Sequence, residues 1–187
     1  MRHHLTLIGS YAADGDLEKI KEYLAHTEAD IDALTPVRYC ENETVNLILS
    51  SFANRARKKQ VTLQADVKLP EVLNINDTEL CALLSNALEN AINAASQLED
   101  KKLRKVYIQA VINEDKMVIS TENAYIGTID MEGDLPKSSK KESGHGYGIK
   151  SMVDIVDRHG GLYSFETEGG VFIMWLLLPL NNRVGGR

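Results

Sequence analysis

The sequence predicts an α+β fold, a two-layer α/β sandwich preceded by a helical hairpin. Three observations lead there. Residues 3–35 carry helical apolar spacing in two pieces, an amphipathic helical segment at 42–60 runs directly into an alternating one, and the remaining chain interleaves strand-like runs with two further helical stretches. A length of 187 residues suits one ordinary domain with a small helical appendage. The expected division is 1–36 for the hairpin and 37–187 for the sandwich.

In order along the chain, Asp14, Gly15 and Asp16 break the first segment, with Asp16 as an N-cap for the second arm. That arm places Leu17, Ile20, Tyr23, Leu24, Ile31 and Leu34 on one stripe, and Pro36 closes it. Between 42 and 60, Val45, Ile48, Leu49, Phe52, Ala53 and Ala56 form a helix face, and "VTLQADV" at 61–67 alternates like a half-buried strand. Asn76 and Glu79 then stand at capping-box spacing before a helix through Leu80, Leu83, Leu84, Ala87, Leu88, Ala91 and Ile92. Val106–Ile112 and Met117–Thr121 read as a hairpin joined through Asn113, Glu114 and Asp115. Residues 124–143 are polar and too long for an ordinary connection, which predicts a mobile lid. A helix carrying Ile149, Met152, Val153, Ile155 and Val156 ends at Gly160 and Gly161. Two strands about Gly169 and Gly170 complete the chain, the second with the unbroken apolar run of an interior position.

Composition excludes several classes. At 43% hydrophobic and 26% charged, with 4 Pro and 13 Gly, the chain is globular rather than disordered or fibrous. No apolar run approaches the roughly 20 residues of a membrane span and no signal peptide opens the chain, so no membrane contact is expected. Cys40 and Cys81 lie far apart, which fits a reducing, cytoplasmic setting and suggests neither a disulfide framework nor a zinc site. A net charge of −6 argues against nucleic acid. The basic runs Arg55–Lys59 and Lys137–Lys141 read as solvated loops or helix ends.

Two features carry chemistry. Asn86, Asn90 and Asn93 fall at i, i+4 and i+7, so three amides share one face of a largely apolar helix. Asparagine disfavours helix interiors, and such a row needs partners, either backbone and water or a ligand. In "SGHGYGIK", Gly144, Gly146 and Gly148 alternate with His145 and Tyr147 just before a helix. Unpaired N–H groups and the positive end of the helix dipole there attract phosphate, and glycine removes side chains that would hold it off. Taken alone, the same glycines equally suit a helix entry needing positive φ. No strand immediately precedes them and no GK[ST] follows, so neither a dinucleotide fingerprint nor a P-loop is present.

Together these segments resemble the ATP-binding domain of the GHKL superfamily (the Bergerat fold), and within it the sensor histidine kinases. "NALENA" is similar to the family's N-box, "SGHGYGIKSM" to its second glycine box, and "IVDRHGGLYSFETEGGVFIMWLLLPL" to the helix and strands that follow. The resemblance implies ATP and Mg²⁺ as ligands, with Asn90 a metal ligand and Asn86 near the phosphates. It also implies that Gly144, His145, Gly146, Tyr147 and Gly148 line the nucleotide. Lys140, Lys141 and Lys150 reach phosphate or are ordinary exposed charges. At "ISTENAYIG" the family usually has an Asp that reads the adenine amino group. This chain has Asn123, whose carbonyl can still accept and whose amide can donate. Asn93 stands where many relatives carry Glu, and its role is left open.

The opening "MRHHLTLIGSYAADGDLEKIKEYL" resembles the RH-x-x box of the peptide- and quorum-sensing kinases, which nominates His3 as phosphoacceptor. Its neighbour His4 replaces a common acidic residue, and Leu7 stands where relatives often carry a water-orienting Thr or Asn. From position alone, both histidines are an exposed terminal pair. His26 and His159 read as solvent-facing. The resemblance implies a two-component histidine kinase that passes phosphate from His3 to an aspartate of a response-regulator receiver domain, with the full-length protein a homodimer. It also implies that the natural chain continues upstream into a membrane-borne sensor. The alternatives are a nucleotide-binding or degenerate interaction module without phosphotransfer, and a GHKL protein serine kinase.

Overall fold

A computed structural model describes Tyr11, Leu17, Lys19, residues 37–136 and residues 147–180. The chain divides into two compact units, Met1–Val37 and Arg38–Arg187. In the first, Tyr11, Leu17 and Lys19 are helical; the expected break at Asp14–Asp16 and the closure at Pro36 lie outside the described residues.

The second unit opens with helix α1 (Glu43–Lys58). Asn42 caps it, its side-chain oxygen accepting from the Val45 N–H at 2.9 Å while its amide donates to the Glu71 carbonyl at 3.0 Å. The helix ends in a Schellman arrangement: the Gln60 N–H reaches Arg57 O and the Val61 N–H reaches Ala56 O, with Gln60 in the left-handed region at φ 56°. Strand β1 (Thr62–Lys68) follows at once. Helix α2 (Asp77–Ala95) is capped by Asn76, which accepts from Thr78 N at 2.7 Å. The expected capping box does not close, because the Glu79 carboxylate turns instead to the end of helix α3 (Tyr147–Arg158).

A short 3₁₀ turn (Lys101–Leu103) leads into β2 (Lys105–Asn113) and β3 (Lys116–Ala124), whose register Asn113↔Lys116 leaves Glu114 and Asp115 as the turn. The polar stretch expected to be a mobile lid contains a small hairpin that the sequence did not announce, β4 (Met131–Glu132) and β5 (Leu135–Pro136). Two-residue strands are too short for an alternation to register. The rest of that stretch, from 137, lies outside the described residues. Strands β6 (Leu162–Glu168) and β7 (Val171–Pro179) close the chain.

The main sheet has the order β1-β2-β3-β7-β6, so β7 is interior, as its apolar run predicts. β1 pairs parallel to β2, which requires a crossover, and α2 provides it; the other pairings are antiparallel. One face of the sheet presents Ile108, Ile119, Met117, Leu176 and Leu178 to Leu49, Leu84, Leu88 and Met152 of the three helices in a single core. The alternate residues Tyr107, Gln109, Ser120, Glu122 and Trp175 are partly or fully exposed. Helices therefore cover one face, which makes the two layers. Among the described residues no helix is long and apolar enough to cross a membrane.

Candidate nucleotide-binding site

Helix α2 buries Leu80, Leu83, Leu84, Ala87, Leu88, Ala91, Ile92 and Ala95, and this apolar face fixes its rotation on the sheet. The asparagine row is thereby turned away from the core: Asn86 and Asn93 are half-buried and Asn90 is exposed. Helix α3 starts against this row. A Cβ added at Gly148 would lie 3.2 Å from the Asn86 Oδ1, so the bare backbone of the first turn of α3 and the first carboxamide of the row are in direct apposition. Tyr147 opens α3. Lys140, Lys141, Gly144, His145 and Gly146 lie outside the described residues, as do His3, His4 and His26.

Asn93 is engaged from the other side. Its Oδ1 accepts from the Lys59 ammonium at the end of α1, and one turn earlier Arg55 Nη2 pairs with Glu89 Oε1 at 2.8 Å. Arg55 also lies over the Phe52 ring, 4.7 Å from its centre. The basic residues of this run are exposed at a helix end, as expected, and two of them, Arg55 and Lys59, also bond along α2. A signal was present in the spacing: Arg55 and Lys59 are four apart on one helix, and Glu89 and Asn93 are four apart on the next. Two helices running in parallel bring such pairs into register.

Asn123 occupies the covered face of β3 and is 3% exposed; its amide donates to the Ala124 carbonyl at 3.1 Å. Thr121, two residues earlier on that face, is 2% exposed. The asparagine oxygens are the chemistry Mg²⁺ prefers, and the ion commonly takes few protein ligands beside phosphate and water. An exposed Asn90 carboxamide fits that role. Among the described residues no cluster of three or more His, Cys, Asp or Glu side chains offers a metal site.

A groove of about 370 Å³ between α2 and α3 is lined by Thr78, Glu79, Ala82, Lys150, Ser151 and Asp154, among others. It lies at the N-terminal half of α2, so Lys150 faces this groove. The α2 wall contributes Glu79 and the α3 wall Lys150, Asp154 and Arg158, so the lining mixes charges of both signs, which suits no single ligand charge. At the same end His159 departs from its expected exposure. Its side chain is 11% exposed, with Nε2 at 2.9 Å from Glu79 Oε2, while Arg158 Nη2 lies 2.8 Å from Glu79 Oε1. The bond to His159 and then that to Arg158 hold the Glu79 carboxyl below its ordinary pKa, against the opposing effect of burial.

The GHKL domain family matches residues 75–179, more than half of the chain. The chain belongs to the GHKL domain family. Solved structures agree on the GHKL architecture. The nucleotide-free catalytic domain of histidine kinase ThkA gives a TM-score of 0.57 at 20% identity, covering 73% of this chain and 90% of its own. Histidine kinase AdeS of Acinetobacter baumannii gives 0.57 at 17% identity over 97% of both chains. The mycobacterial sensor histidine kinase MprB gives 0.54 at 15% identity, over 73% of this chain and 93% of that one. At these identities the likeness is one of fold. No curated protein matches the chain.

Proposed function

We propose that this chain is an ATP-dependent protein histidine kinase module of a two-component system, in which residues 37–187 bind ATP and residues 1–36 carry the phosphoacceptor His3. The observation that supports the reading is the apposition of Asn86 and Gly148, 62 residues apart in sequence, as two walls of such a site would require. Membership of the GHKL family and the shared fold of histidine kinase catalytic domains support it.

In this reading Asn86 and the glycine backbone hold the phosphate end of ATP, Asn90 supplies a carbonyl oxygen to Mg²⁺, and Asn123 faces the purine. Mg²⁺, when bound, offsets phosphate charge. A neutral imidazole nitrogen of His3 attacks the γ-phosphorus, the bond to the bridging oxygen breaks, and ADP leaves; positioning does most of the catalytic work. The phosphoryl group then passes to an aspartate of a response-regulator receiver domain. The module works in the cytoplasm as part of a homodimer.

Incubation with γ-labelled ATP and Mg²⁺, followed by acid and alkali treatment, tests this. Label that is acid-labile and alkali-stable, and absent from His3→Gln, is expected. Acid-stable label would point to a serine kinase. ATP binding without any label would leave a nucleotide-holding module and overturn the kinase reading.

A further inference from the structure

We infer that Lys59, at the end of α1, is a phosphate-binding side chain of the nucleotide site; this deepens the function proposed above and rests on it. The asparagine row offers only neutral carboxamides, and Glu89 next to Asn90 adds a negative charge at the place where a triphosphate is to lie. Two residues of α1 alter that balance. Arg55 pairs with Glu89 at 2.8 Å, and Lys59 donates to Asn93 Oδ1, so a net positive charge is delivered to the row from a neighbouring helix. An ammonium has three donors, and one is taken by Asn93, which leaves donors for a phosphate oxygen without breaking the bond that orients the side chain. Lys59 is exposed, so solvent and ligand reach it.

A competing account is that Lys59 merely sits at a helix C-terminus, where a cation is favourable whatever binds nearby. The two differ in what they make phosphate-dependent. In the full chain, affinities of wild type and Lys59→Met are measured by calorimetry for ATP, ADP and adenosine, with thermal melts alongside. ATP binding is expected to weaken by about tenfold in the variant, the size of one charged hydrogen bond. ADP should weaken less, adenosine not at all, and Lys59→Arg should recover most of the loss. Lys58→Met, which removes a charge from the same helix end, should leave binding unchanged. Equal losses for ATP and adenosine, an equal effect of Lys58→Met, or no loss at all would each overturn the assignment while the kinase reading stands. Failure of wild type to bind any of the three would overturn both.

Discussion

Gln60 holds a backbone conformation that glycine adopts freely and a residue with a Cβ does not, at φ 56° in the turn that ends α1. Gln60→Gly keeps both closing hydrogen bonds and removes the strain. A gain of about 0.5–1 kcal/mol is expected, partly offset by the freer unfolded chain, and read as a higher urea midpoint at unchanged slope. The second residue-scale case is Glu79. Its folded pKa lies below the unfolded value, so its pairing with His159 and Arg158 contributes stability that is complete above about pH 4.3 and is lost as pH falls through the lowered value. Glu79→Gln should cost about 1 kcal/mol at pH 6 and progressively less as pH falls through the lowered value, checked by urea midpoints from pH 6 down into the acid range. An equal loss at both ends would refute the electrostatic account. The partnership itself was not legible. Asn76 and Glu79 announce a capping box locally, but the groups that capture Glu79 come from 79 and 80 residues further on, and no local spacing encodes them.

The junction between α3 and β6 shows what an element boundary costs to alter. Gly160 takes φ 64°, its N–H reaches Asp157 O, and the Gly161 N–H reaches Val156 O, a second Schellman ending. A Cβ at Gly161 would stand 2.2 Å from the Leu177 carbonyl and 2.8 Å from Val156 Cγ1, so β6 would have to leave its partner strand or α3 its seat. Gly161→Ala is therefore expected to lose about 3 kcal/mol or more, seen as a large drop in melting temperature, whereas Gly160→Asn should be nearly silent. Glycine pairs at helix ends were readable from sequence, as were β2, β3 and β7 from their alternation and apolar runs. The β4–β5 hairpin was not, because Met131–Glu132 and Leu135–Pro136 bury little and show no period. Of the site, the asparagine row was legible from helical spacing alone. Its contact with Lys59 was not, since it depends on how α1 and α2 run beside each other.

At the scale of the molecule, every described residue of the core lies between Val45 and Leu180. A chain beginning at Arg38 is expected to fold cooperatively and to bind ATP with the affinity of the full chain, yet to accept no label from γ-labelled ATP. Denaturant melts, calorimetry and autoradiography check the three parts, and label on the shortened chain would move the phosphoacceptor away from His3. The parallel β1–α2–β2 connection has a further consequence. Because α2 is at once the bridge that lets two strands run side by side and the support of the asparagine row, it cannot detach without taking the sheet apart. In deuterated solvent its mid-helix amides should be among the last protons to exchange, opening only as the whole unit unfolds. The carboxamide row is thus held as firmly as the sheet beneath it.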